Sequence, residues 1–226
     1  YNLIAYPVAV YLWWRLVYSI RPVMLAQLLG EQIPVGKLAV VQRRAVNLPW
    51  LGCTISGVAW LLCIPVFLLS LGLAGHPMQA SLLWWHLPIS FLVSAFIAVT
   101  HSFFLVELAS HSRIFPTLFR ETRPDQVGAL TLSLRGRGVL WAVSSGICPI
   151  SSLLLLSFAP PAPGTDPARF AVFVGMVGIV FGLVTAILMS RLVAEPVDHL
   201  QLAARSVSCG QLDVHVPIRR ADEFGL

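Results

Sequence analysis

The chain has 226 residues, of which 57% are hydrophobic and only 11% charged, with a formal net charge of +5. Its mean hydropathy is +0.81, a value that excludes an ordinary water-soluble domain and leaves an integral membrane protein. The positive charge lies between apolar runs, where it reads as membrane topology and contact with anionic lipid rather than nucleic-acid binding.

A bilayer core about 30 Å thick requires roughly 20 mostly apolar residues per spanning helix. Five stretches meet this, at 2–20, 48–73, 83–108, 139–158 and 170–193. None has the basic start and small-residue cleavage site of a signal peptide. The first span carries Trp13, Trp14 and Arg15. A charge in lipid is a functional candidate, although an arginine six residues before the span's exit can also snorkel to the surface. The following loop holds Arg21, Lys37, Arg43 and Arg44, and "RPVMLAQLL" continues an apolar pattern, as a helix leaving the bilayer or lying on it would.

The second span contains Pro65. The third begins with Trp84-Trp85 in the position of an interfacial aromatic belt and Pro88 just after, and ends with His101 and Glu107. Glu107 is the one acid well inside an apolar run, and pairing it with Arg15 would neutralise both and tie two helices together. His76 and His86, without a carboxylate or cysteine partner, make no metal site. The second long loop carries Arg113, Arg120, Arg123, Arg135 and Arg137, and Pro149 interrupts the fourth span. Pro65, Pro88 and Pro149 are all positioned to kink helices. Cys53, Cys63 and Cys148 lie in spans and Cys209 in the tail, a pattern that implies no disulfide framework.

Both long loops and the tail are basic, whereas the two short connections hold only Arg169. The expected orientation therefore places the loops and the C-terminus in the cytoplasm and Tyr1 outside, in the plasma (inner) membrane. A further helix before Tyr1 would make six spans in the full chain. The exits "SIRP", "HSRIFP" and "SRLVAEP" rhyme, as do "RAVNLPW" and "RGRGVLW", which fits three repeated hairpins.

In the fifth span, Gly178, Gly182, Ala186 and Ser190 form a small-residue stripe. Such a stripe permits close backbone approach, either to a second copy of the chain or to another helix of the same chain. Beyond it, Val193, Pro196, Leu200, Ala203 and Val207 follow the three-four spacing of a coiled-coil seam. Gly210 can end that helix in a left-handed conformation. Leu212, Val214, Val216 and Ile218 alternate as in an extended connector, and "DEFGL" places acids where a second helix would start.

This succession resembles the HAMP relay of bacterial receptors, through Pro196, Leu200, Gly210, Asp222, Glu223 and Leu226. The expected organisation is an all-α bundle at 1–193 and the first part of a HAMP domain at 194–226. Spans with minimal external loops before HAMP look like the membrane-bound class III adenylate cyclases of mycobacteria and related actinobacteria, as do "RAVNLPW", "SGVAWLL" and "SLRGRGVLWA". The resemblance implies a homodimer whose catalytic domain lies beyond Leu226, makes cyclic AMP from ATP and uses Mg²⁺ or Mn²⁺. No catalytic, cofactor-binding or metal residue of that domain occurs in this segment. Expected partners are a second copy, membrane lipids, and a lipid, fatty acid or membrane protein as stimulus. The alternatives are a HAMP-containing histidine kinase or other receptor, and a small transporter.

Overall fold

The computed structural model describes residues 2–74, 85–119, 132–158 and 166–211. Helices follow one another as α1 (Asn2–Leu28), α2 (Val35–Val46), α3 (Leu48–Leu73), α4 (Leu87–Ala109), α5 (Phe115–Leu118), α6 (Leu134–Ala142), α7 (Cys148–Phe158) and α8 (Pro167–Ser208). No strand occurs among the described residues. Five helical units are long and apolar enough to cross a bilayer: Leu3–Leu28, Leu48–Leu73, Leu87–Leu118, Leu134–Phe158 and Ala168–Ala194. The chain is an all-α, multi-pass membrane protein. Helices dominate because in lipid every backbone N–H and C=O must be satisfied within its own segment.

Ile20 and Val23 of α1, the end of α4 with α5, Leu132 just before α6, and Leu188 with Leu192 of α8 gather around the start of α3, at Leu48 and Trp50, near Arg21, Arg44, Arg137 and Arg191 in sequence. Several helices run beyond the apolar stretches, as the apolar pattern of "RPVMLAQLL" leads one to expect for the first. The first helix runs on through Pro22 to Leu28, and the fourth unit starts at Leu134 rather than 139. Helix limits are set by hydrogen bonding and caps, whereas an apolar count measures only the length of the hydrophobic run. Gly30 closes the turn after α1 at φ +74°. There Glu31 N–H donates to Ala26 O at 2.9 Å and Gly30 N–H to Gln27 O at 3.3 Å, the paired bonds of a Schellman closure.

Two π turns, Ser110–Ile114 and Val143–Ile147, join α4 to α5 and α6 to α7. Each ends two residues before a proline, Pro116 and Pro149. A proline ring collides with the carbonyl four residues back, here Ser112 and Ser145, and a widened turn at those positions relieves the collision. In the second case Ser145 Oγ donates back to Trp141 O at 2.7 Å. Pro88, by contrast, sits in the first turn of α4, where no intrahelical bond is lost. It starts the helix rather than kinking it.

The third span is the most enclosed of the five, and α3 with α4 forms the most extensive helix pair. The core gathers toward the basic end. Ile20 and Val23 of α1, Val41 and Ala45 of α2, Leu48 of α3, and Phe115 with Leu118 of α5 bury one another there. Gln42 Nε2 donates to Leu118 O at 2.8 Å, satisfying a carbonyl at the end of α5. Because α2 is amphipathic, with Lys37, Arg43 and Arg44 exposed, water reaches this end. Burial there gains about 25 cal/mol per Å² of apolar surface. Within the bilayer that term vanishes, since lipid is as apolar as leucine, and close packing holds the spans instead.

Candidate functional site

The most enclosed charge in the described structure is Arg137 on α6. Ser133 caps that helix, its Oγ accepting from Gly136 N at 3.1 Å, and Arg137 follows in the first turn. Its Nε donates to Oε1 and Oε2 of Glu107 on α4 at 3.2 and 3.1 Å, and Nη2 also donates to Oε1. The two side chains are 2% and 7% exposed. This corrects the expected pairing of Glu107 with Arg15. Arg15 is exposed on α1, on the face opposite Trp13, Ile20 and Val23, which turn into the bundle. Arg137 instead enters on a helix directly beside α4.

Six residues earlier on α4, His101 ties the third span to the fifth. Nδ1 lies 2.8 Å from Ile97 O, while Nε2 lies 3.1 Å from Phe181 O and against Oγ1 of Thr185. Thr185 is fully buried and its hydroxyl donates to Phe181 O at 2.7 Å. The imidazole edge also meets the Phe181 ring, with centroids 4.9 Å apart. Between these polar ties, Phe103 and Phe104 of α4 pack on Leu188 and Leu192 of α8.

The tryptophan pair divides. Trp13 turns inward, and a Cβ built on Gly52 of α3 would stand 3.2 Å from its ring. It lines a cavity of about 440 Å³ between α1, α3 and α4, with Ser56, Trp60 and Phe91 also on the wall. Trp14 is 55% exposed and stacks on Tyr18, centroids 5.0 Å apart, and on Tyr11 at 6.5 Å. A second cavity, of about 550 Å³, lies between α4, α7 and α8. Its wall is apolar apart from His86, Ser90, Ser94 and Ser152. Neither cavity is lined by Glu107 or His101. No group of three or more His, Cys, Asp or Glu that could hold a metal ion occurs among the described residues.

The small-residue stripe of α8 is largely taken up within the chain. A Cβ on Gly178 would stand 3.0 Å from Pro149 Cβ, and one on Gly182 would stand 3.8 Å from Ser145 Cβ. Ala186 is half-buried and Ser190 exposed. The helix then continues through Ala194 and Pro196 to Ser208, 42 residues in all. It closes at Gly210, whose φ is +86°. Gln211 N–H donates to Ser206 O and Gly210 N–H to Val207 O, both at 3.0 Å. Leu200 and Val207 are 40% and 49% exposed. At about 100° per residue, the seam from Val193 to Val207 centres within roughly 40° of the face formed by Gly178, Gly182, Thr185, Leu188 and Leu192. The face of α8 that packs inside the bundle therefore continues beyond it as the face that carries the exposed Leu200 and Val207. The expected connector after Gln211, and Asp222, Glu223 and Leu226 with it, lie outside the described residues.

Residue-type reasoning finds Glu107 and His101 but not Arg137 or Thr185. Arg137 reads as one loop charge among several; the signal for it is Ser133, whose capping position puts Arg137 inside the helix. Comparison with protein-family models, with curated proteins and with solved structures finds no match.

Proposed function

We propose that this chain is the membrane input and signal-transmission module of a HAMP-linked class III adenylate cyclase. In this reading it acts as a homodimer in the plasma membrane, with its long loops and C-terminus cytoplasmic. A catalytic dimer beyond Leu226 converts ATP to cyclic AMP with Mg²⁺ or Mn²⁺.

The observation that carries the reading is the form of α8. A single 42-residue helix begins as a span packed on α4 and α7 and ends as an apolar seam outside the bundle. Gly210 stops it in a left-handed turn, the punctuation a HAMP relay requires before its connector. The helix is continuous from span to seam, so a shift of the span is carried into the seam, with Pro196, which has no N–H to donate, as a point where it can bend. Any stimulus that shifts α4 against Leu188 and Leu192 moves the seam as well. A coupling of about 1–3 kcal/mol, typical between allosteric sites, suffices to bias an interfacial active site. The stimulus in this reading is a lipid, fatty acid or membrane-embedded partner, for which the two apolar cavities offer room. Transport is the weaker reading, because Glu107 is neutralised by Arg137 and lines neither cavity.

The test is cyclic AMP formation from ATP by membranes containing the full-length protein, with Mg²⁺ or Mn²⁺. Product that disappears when the region beyond Leu226 is deleted supports the cyclase. An intact, dimeric protein that makes none points to another HAMP output, with autophosphorylation as the next assay. If an unrelated dimeric anchor in place of the spans preserves both activity and its regulation, the input role is wrong.

A further inference from the structure

The outward face of α1 carries an aromatic and cationic patch that the transmission reading does not use. Tyr11, Trp14 and Tyr18 form a stacked column, each 50–55% exposed. Arg15 lies in the middle of that face and is itself exposed. Among the described residues no hydrogen bond or ion pair is made by its side chain. One turn further on, Arg44 reaches over from α2, its Nη1 donating to Ser19 Oγ at 3.0 Å. Ser19 in turn donates to Leu16 O at 2.6 Å. Ser19, one turn from Arg15, thus anchors a second guanidinium, and among the described residues no carboxylate pairs with either. Among the described residues the ion pairs Glu107–Arg137 and Asp166–Arg169 both lie elsewhere.

We propose that Arg15 and Arg44 bind the phosphate of one anionic phospholipid, whose glycerol and upper acyl chain lie along Trp14 and Tyr18. Three features select this occupant. Two uncompensated guanidinium groups on one face match a phosphate, which each can hold by paired N–H donors. The patch lies near the end of the bundle where α1 meets the amphipathic α2: Arg15 stands six residues before Arg21, roughly 9 Å along the axis at 1.5 Å per residue. A lipid phosphate drawn slightly inward, or an arginine snorkelling outward, closes that gap. Val8, Leu12 and Val17 around the patch are exposed and require acyl chains, which a soluble phosphate or an acidic peptide does not bring. Tyrosine and tryptophan rings at this depth suit the interface, apolar on the face and polar at the tip. The site stands whether or not the output is a cyclase.

The experiment is native mass spectrometry of the full-length protein in neutral detergent, titrated with dioleoylphosphatidylglycerol or dioleoylphosphatidylcholine. At about 1 kcal/mol per basic residue near a membrane surface, two arginines give a preference of about tenfold or more for the anionic lipid. Arg15→Gln with Arg44→Gln should bring the ratio to within about twofold of unity. Arg113→Gln with Arg191→Gln, basic positions elsewhere, should leave it intact. Trp14→Ala with Tyr18→Ala should weaken both lipids severalfold while preserving the ratio. If the double arginine variant fails to insert, Arg15→Gln alone, at an exposed position, should give a partial loss. The proposal is overturned if the wild type does not discriminate, if the arginine variants keep the preference, or if the control pair loses as much, which would mean a diffuse basic rim. Displacement by millimolar glycerol 3-phosphate would also overturn it, by showing a soluble phosphate site.

Discussion

Arg137 on α6 grips Glu107 on α4 through both carboxylate oxygens, with Nε at 3.2 and 3.1 Å, in a pocket that leaves the two side chains 2% and 7% exposed. Attraction in such a place is strong, but so is the loss of hydration, and the two nearly cancel. What does not cancel is the cost of leaving one charge alone.

Glu107→Gln or Arg137→Gln should therefore destabilise the folded protein by about 3–5 kcal/mol, whereas replacing both by leucine should recover much of that loss. Arg15→Gln, at an exposed position, should change stability by less than about 0.5 kcal/mol. Reversible unfolding in mixed detergent, arranged as double-mutant cycles, measures each coupling. Strong coupling between positions 15 and 107, with none between 107 and 137, would refute the pairing.

Gly178 faces Pro149 of its own chain at a distance that leaves no room for a larger side chain. Gly178→Leu should lower stability by about 1–3 kcal/mol through overpacking, and by the same amount at all protein concentrations. Were the stripe a contact between copies, the variant would instead shift the monomer–dimer equilibrium measured by sedimentation or single-molecule counting.

Gly210 occupies a backbone conformation that side chains with a Cβ resist, at φ +86°. Gly210→Val should cost about 1–2 kcal/mol locally and loosen the last turn of α8. Hydrogen exchange should then quicken at Cys209, Gly210 and Gln211, whose amides bond back into that turn. Gly138→Val makes the contrasting case, since φ there is not positive and nothing crowds its Cβ position.

The phase of α8 carries the transmission proposal. One residue inserted after Ala194 rotates the seam by about 100° relative to the buried face, while seven restore the register to within about 20°. In the full-length protein the single insertion should abolish or invert regulation, and the seven-residue insertion should keep it. Equal behaviour of the two, read as stimulated over basal activity, would mean that α8 does not act as a rigid rotor.

The number of spans, the basic end of the bundle, the glycine stop at Gly210 and the candidate residues Glu107 and His101 are all legible in the chain itself. Each depends on local chemistry: apolar length against bilayer thickness, charge against lipid, a missing Cβ where φ turns positive. The partners of those residues are decided elsewhere. Lipid-facing and bundle-facing sides of a span are equally apolar, so no periodicity tells which face turns inward. Arg15 sits in an apolar run and Arg137 reads as a loop charge, until the packing of α1 and α6 turns the first outward and the second into Glu107. The glycine stripe is likewise silent about whose helix it receives, and only the position of Pro149 and Ser145 answers it. Helix contacts in a membrane are chosen by shape and by a few buried polar pairs rather than by burial of apolar surface, and shape exists only once the helices are assembled.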